Sequence, residues 1–132
     1  MRLNPYLSFG GNAATALHFY ARVLDGEVAS LMKMADMPDQ SWVTDANREM
    51  LAHGHVTFEG GEIHASDMPG AEGGYRGVTL QINCGDPARG KALFDRLAEG
   101  GEVTMAFAET FWAKGFGTCT DRFGVPWMVN CQ

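Results

Sequence analysis

The chain has 132 residues, 45% hydrophobic and 20% charged, with 10 basic against 16 acidic side chains and a formal net charge of -6. A chain of this length buries a single core and is expected to form a single domain over 1–132. The acidic balance and the lack of any Lys/Arg run argue against a nucleic-acid groove or an anionic membrane patch. No apolar stretch approaches the roughly 20 residues of a membrane-crossing helix, and the first residues lack the apolar run of a secretory leader. Three cysteines (Cys84, Cys119 and Cys131) with no C-x-x-C spacing suggest neither a disulfide framework nor a zinc knuckle. A reduced, cytoplasmic protein is the expectation.

In chain order, residues 3–9 read as a strand, with Leu7 and Phe9 on one face and Tyr6 and Ser8 on the other. Asn12 reads as the N-cap of a helix over 13–24, whose apolar stripe is Ala16, Leu17, Phe19, Tyr20, Val23 and Leu24, and Gly26 ends it. A strand follows over 27–34, then a polar arm over 35–50 carrying Met37, Trp42 and Met50. The runs 51–59 and 62–67 flank Gly60 and Gly61 and predict a hairpin turning on that glycine pair. After the Gly-rich stretch 69–74 the order repeats. A strand is expected over 77–83, then a helix opened by Asp86 with Pro87 at its first position and striped by Ala88, Ala92, Leu93 and Leu97 with Phe94 alongside. Strands are expected over 102–108, 116–120 and 126–131. Phe19 matches Phe94, and Gly26-Glu27-Val28 matches Gly101-Glu102-Val103, at one common offset of 75. The fold class expected is α+β: tandem βαβββ repeats over about 1–68 and 75–132, linked by 69–74, in a curved, open mixed sheet or half-barrel around a cleft.

Strand alternation sorts the side chains. Leu7, Phe9, Val56, Phe58, Ile63, Ala65, Val78, Leu80, Ile82, Trp127 and Val129 fall on the faces that pack under the helices. The opposite faces carry Asn4, Tyr6, Ser8, His53, His55, Thr57, His64, Thr79, Gln81, Met128 and Asn130. That second set is polar yet uncharged, which suits a ligand cleft better than a solvated surface. A turn on Gly60 and Gly61 pairs Thr57 with His64 and sets His55 diagonal to His64. Imidazoles on neighbouring strands bind Zn, Ni or Cu, but no carboxylate stands clearly among these three, since Glu59 and Glu62 sit beside the turn near solvent.

Three runs carry a resemblance: Asn4-Pro5-Tyr6-Leu7-Ser8-Phe9, Ile63-His64-Ala65-Ser66-Asp67, and above all Glu109-Thr110-Phe111-Trp112-Ala113-Lys114-Gly115-Phe116-Gly117, which continues into Thr120-Asp121-Arg122-Phe123-Gly124-Val125-Pro126-Trp127-Met128. On these the chain resembles the vicinal oxygen chelate superfamily (glyoxalase, bleomycin resistance, dioxygenase), and within it the PhnB-like, demethylubiquinone-methyltransferase-like branch. The resemblance implies the paired βαβββ fold and, in the metal enzymes, four ligands on the first and last strands of each repeat. Those positions fall here on Asn4, His64, Gly77 and Met128, of which only His64 is a good ligand for a hard divalent ion. Methyl transfer lacks support, because Gly115 and Gly117 lead into a strand pattern and not into a helix. The resemblance and the small size imply a homodimer.

The remaining candidates are few. Phe111 and Trp112 either wall a cleft or pack in a core or interface. Asp121-Arg122-Phe123-Gly124 predicts a tight turn. Cys119 lacks the helix N-terminus or basic partner of a nucleophile. The arm is either a lid or a strap on a partner subunit. The expected function is metal-free binding of a small organic molecule by Tyr6, His53, His55, His64, Gln81, Trp112, Met128 and Asn130, with no cofactor. The alternative is a lyase or isomerase using a cleft histidine as base, or a divalent ion such as Zn, Ni or Mn recruited by His53, His55 and His64.

Overall fold

A computed structural model describes residues 1–132, apart from the exposure of Gly73. The chain divides into two compact units, Met1–Gly73 and Gly74–Gln132. The first contains β1 (Tyr6–Phe9), α1 (Ala13–Val23), β2 (Glu27–Lys33), β3 (Leu51–Phe58) and β4 (Gly61–Asp67), and the second β5 (Leu80–Asn83), α2 (Pro87–Ala98), β6 (Glu102–Ala108), β7 (Gly115–Thr120) and β8 (Pro126–Cys131). Each unit holds an open, mixed four-stranded sheet. The orders are β1-β4-β3-β2 and β5-β8-β7-β6. In both, the first strand lies parallel to the last and the other pairs are antiparallel. The duplicated βαβββ order read from the sequence is therefore the observed topology. Neither helix is long and apolar enough to cross a membrane.

In the first unit α1 buries Ala13, Ala16, Leu17, Phe19, Tyr20, Ala21 and Val23. The strand residues buried with them are Leu7, Phe9, Val56, Ile63 and Ala65, as alternation predicts. Asn12 sits at the N-cap position, but its side chain makes no capping bond. Asp67, at the end of β4, does that work: its Oδ1 accepts from the N–H groups of Gly11 and Ala13, both at 2.9 Å, and its Oδ2 accepts from Leu51 N at 2.8 Å. A carboxylate, with two charged acceptor oxygens, satisfies these orphan donors better than the neutral asparagine side chain, which offers one.

In the second unit Asp86 caps α2 locally, accepting from Ala88 N at 2.9 Å with Pro87 in the first turn, as expected. The buried stripe is Gly90, Phe94 and Leu97. Ala88 and Ala92 are exposed, which corrects the predicted stripe by rotating it about the helix axis. The sheet beneath buries Cys119, Trp127, Val129 and Cys131. Asp121, only 3% exposed, accepts from Phe123 N at 2.8 Å, Val125 N at 3.0 Å and Trp127 Nε1 at 2.8 Å. It thus locks the turn expected at 121–124 and anchors the tryptophan below it.

Strand bounds differ at the starts. β1 begins at Tyr6, leaving Leu3 exposed, and β5 begins at Leu80, leaving Val78 exposed where it was expected under a helix. Gly77 adopts a φ of +73°, outside the extended region, which stops the strand from starting there. The arm over 35–50 opens with a 3₁₀ turn at Met34–Asp36 and closes on itself, Met34 N bonding Met50 O at 2.8 Å and Ala35 N bonding Arg48 O at 2.9 Å.

Candidate functional site

The hairpin between β3 and β4 fixes the geometry. Its two-residue loop is Glu59 and Gly60, with Gly60 at φ +97°, and Phe58 pairs with Gly61. The turn is thus one residue earlier than expected and the pairing moves by two: His55 stands directly opposite His64, and Thr57 opposite Glu62. His55 and His64 stack with ring centroids 4.8 Å apart and planes 9° from parallel. His53, two residues along β3 on the same face, has its ring 5.3 Å from His64 and 6.1 Å from His55. Tyr6, paired with His64 across the parallel β1–β4 ladder, lies 5.8 Å from the His53 ring and 6.4 Å from His64. One nitrogen from each imidazole lies within 4.8 Å of the others.

Each ring also has a separate hydrogen-bond partner. Ser30, exposed on β2, places its Oγ 2.9 Å from His55 Nδ1. The Tyr6 hydroxyl is 3.4 Å from His53 Nδ1. Glu62 Oε2 is 3.1 Å from His64 Nε2, while its Oε1 is 3.0 Å from an Arg2 guanidinium nitrogen. Glu62 is 15% exposed, which corrects its reading as a solvent-facing turn residue. The signal was present in the sequence, since Glu62 and His64 are two apart on one strand and so share a face. Ser30 had no such signal, because its place beside His55 depends on a β-bulge in the β2–β3 register between Val28 and Ser30. Burial, then the neighbouring His64 and His55, holds the His53 imidazole below its ordinary pKa of 6.5 and so favours its neutral form.

The other expected site residues lie in the second unit. Gln81 pairs with Met128 and Asn83 with Asn130 across β5 and β8. Gln81 Nε2 donates to Asn83 Oδ1 at 2.8 Å and Asn130 Nδ2 donates to the same oxygen at 3.3 Å. Asn130 is buried, and its Oδ1 has no partner among the described residues. A pocket of about 220 Å³ lies here, lined by Asn83, Cys84, Gly85, Asn130 and Gln132. Trp112, 46% exposed, packs edge-on against Phe111 at 4.7 Å and Phe116 at 5.3 Å, ring centre to ring centre. The expected residues thus fall into two groups, Tyr6 with the three imidazoles in one unit and Gln81, Met128, Asn130 and Trp112 in the other.

The four positions implied for a superfamily ion do not fit one. Gly77 presents no side chain, Asn4 is a neutral amide ahead of β1, and Met128 is a half-buried thioether, leaving His64 alone as a competent donor. Gly115 and Gly117 lie inside β7 and so form no strand-to-helix turn. Cys119 is buried, and its thiol is pushed up to about 11 by burial and then by Asp121, which suits an inert core residue.

The model of the family described as 3-demethylubiquinone-9 3-methyltransferase matches residues 1–130. Protein YjdN of Escherichia coli (strain K12) is 40% identical over 139 residues, covering 98% of this chain and 95% of YjdN. Among solved structures, PA1353 from Pseudomonas aeruginosa is 36% identical with a TM-score of 0.90, covering 100% of this chain and 98% of that one. A PhnB protein from Bacillus cereus is 21% identical with a TM-score of 0.82 and full coverage of both chains. At fold level, a glyoxylase/bleomycin resistance protein/dioxygenase domain from Frankia sp. EAN1pec aligns with a TM-score of 0.68 at 14% identity, over 99% of this chain and 96% of that one.

Proposed function

The chain belongs to the 3-demethylubiquinone-9 3-methyltransferase family, the PhnB-like branch of the vicinal oxygen chelate superfamily, and on that premise we propose that it binds a small organic molecule without the four-position ion cage of the superfamily's metal enzymes. The observation that carries this reading is the open face of the first sheet. There a half-exposed Tyr6 ring lies 5.8 Å from the His53 ring and 6.4 Å from the His64 ring, and the three imidazoles lie within 6.1 Å of one another. Such a face offers a planar guest an aromatic surface and several neutral or protonated N–H donors. A planar molecule carrying an oxygen acceptor, of which 4-hydroxybenzoate is a simple probe, matches that chemistry.

The test is a thermal-shift titration of the full chain, in chelator, with 4-hydroxybenzoate and a panel of related planar acids and esters. Saturating ligand raises the melting temperature by a few degrees, in proportion to the logarithm of its concentration over Kd. Tyr6→Ala and His55→Ala abolish the shift while the unliganded variants melt near the parent temperature. Absence of a shift across the whole panel sinks the reading.

A second reading, a lyase or isomerase, is favoured by one observation: His53 is held toward its neutral form, which a general base requires. Recovery of the bound compound decides between the two. A binding protein returns it unchanged, and an enzyme returns a product of altered mass or isotope content.

A further inference from the structure

We propose that His53, His55 and His64 together hold one late first-row transition ion, Zn(II), Ni(II) or Cu(II), on the open face of the first sheet. This site shares only His64 with the superfamily's cage positions and lies wholly within β3 and β4. It rests on the small-molecule reading for what fills the ion's remaining positions, but not for the ion itself. It departs from the metal-free expectation, which followed from the cage positions and from the lack of a carboxylate among the three imidazoles.

Two independent features carry it. The first is convergence. One nitrogen from each ring lies within 4.8 Å of the others, whereas three nitrogens about 2.0–2.1 Å from a tetrahedral ion are roughly 3.4 Å apart. The difference is closed by side-chain torsions, with no change in the direct His55–His64 pairing. The second is orientation. Each imidazole has one nitrogen engaged by a different neighbour: Nδ1 of His55 by Ser30, Nδ1 of His53 by Tyr6, and Nε2 of His64 by Glu62. Nε2 of His53, Nε2 of His55 and Nδ1 of His64 are the atoms then presented to an ion. Metal-bound histidines carry an outer partner of this kind on the nitrogen that does not bind, which sets tautomer and ring angle. At His64 that partner is a carboxylate itself tied to Arg2, so Glu62 is occupied in orienting the ring.

The donor set selects the ion. Three imidazoles and no carboxylate suit Zn, Ni and Cu and disfavour Mg, Ca and Mn, which prefer oxygen. Three protein donors leave at least one coordination position for water or for an oxygen of the organic guest.

The experiment uses the full chain, purified without an affinity tag and stripped with chelator, titrated by calorimetry with Zn(II), Ni(II) and Mg(II) in the absence of any organic compound. One equivalent of Zn(II) or Ni(II) binds, and Mg(II) does not. Each of His53→Gln, His55→Gln and His64→Gln weakens binding at least tenfold, and the exposed outer partner Ser30→Ala weakens it about tenfold. Asn4→Ala and Met128→Leu leave it unchanged. With Cu(II), electron paramagnetic resonance shows coupling to imidazole nitrogens that is reduced in each histidine variant. Circular dichroism confirms that each variant is folded. Substoichiometric binding, binding indifferent to the histidine variants, or binding lost in Asn4→Ala or Met128→Leu overturns the proposal. Because this titration contains no organic probe and the thermal-shift assay contains chelator, failure of one leaves the other standing.

Discussion

The two units have one topology and two chemistries. In the first, the parallel ladder sets Tyr6 beside His64, and His64 faces His55 across the hairpin. In the second, the corresponding ladder sets Gln81 beside Met128, and Met128 faces Thr118. The same three lattice points thus carry an aromatic and two imidazoles in one unit, and an amide, a thioether and a hydroxyl in the other. What the duplication keeps is backbone geometry. Glu27 pairs with Thr57 and Glu102 with Thr120, and the glycine before each glutamate lies against the carbonyl oxygen of that threonine. The helices differ as well. α1 buries seven side chains, whereas α2 buries three residues, one of them a glycine, so α1 is the more deeply embedded.

Substituting those matched glycines is expected to test the equivalence of the two units most severely. A methyl group on Gly26 or Gly101 presses on backbone, at Thr57 O and Thr120 O respectively, and backbone cannot step aside as a side-chain tip can. Gly26→Ala and Gly101→Ala are each expected to cost about 3 kcal/mol or more in urea unfolding. If only one does, the two crossings are not equivalent. Next come the carboxylates that organise each unit. Asp67→Ala strands three backbone donors, and Asp121→Ala strands two backbone donors and the Trp127 indole. Each is expected to lose about 2–3 kcal/mol, with the Asp121 variant also showing altered tryptophan fluorescence. The smallest effect is confined to the second unit, where all three thiols lie. Burial, as the first cause, raises Cys119 and Cys131 from 9.0 to about 11. The unfolded chain therefore releases these protons first, and stability is expected to fall as pH rises from about 9 to about 11. Melting temperatures across that range, in the parent and in Cys119→Val, read this directly, the variant losing less.

Much of the fold was legible because it rests on alternation, helical spacing and turn chemistry. The repeat, both helices, the Asp86–Pro87 helix start and the 121–124 turn follow from local residues. The hairpin register did not. Moving a two-residue turn from Gly60 and Gly61 to Glu59 and Gly60 shifts every pair by two, and a shift of two leaves each side chain on the same face. Alternation is blind to it, so it gives the face the imidazoles share but not which of them stand opposite one another. The partners of the imidazoles escaped for related reasons. Ser30 depends on a bulge, and Glu62 depends on which residues the turn actually consumes.

Asp67 carries a consequence for how the chain assembles. The helix that follows β1 takes its terminal acceptor from a residue 54 positions further along, at the far end of the unit. Until that final strand docks, the helix start keeps its amides dangling, and the docking contact also secures the entry to the third strand. Early and late segments of this half are thereby made to depend on one another. Hydrogen exchange should accordingly find them opening as one cooperative block, and a chain cut before residue 67 should leave its helix frayed at the start.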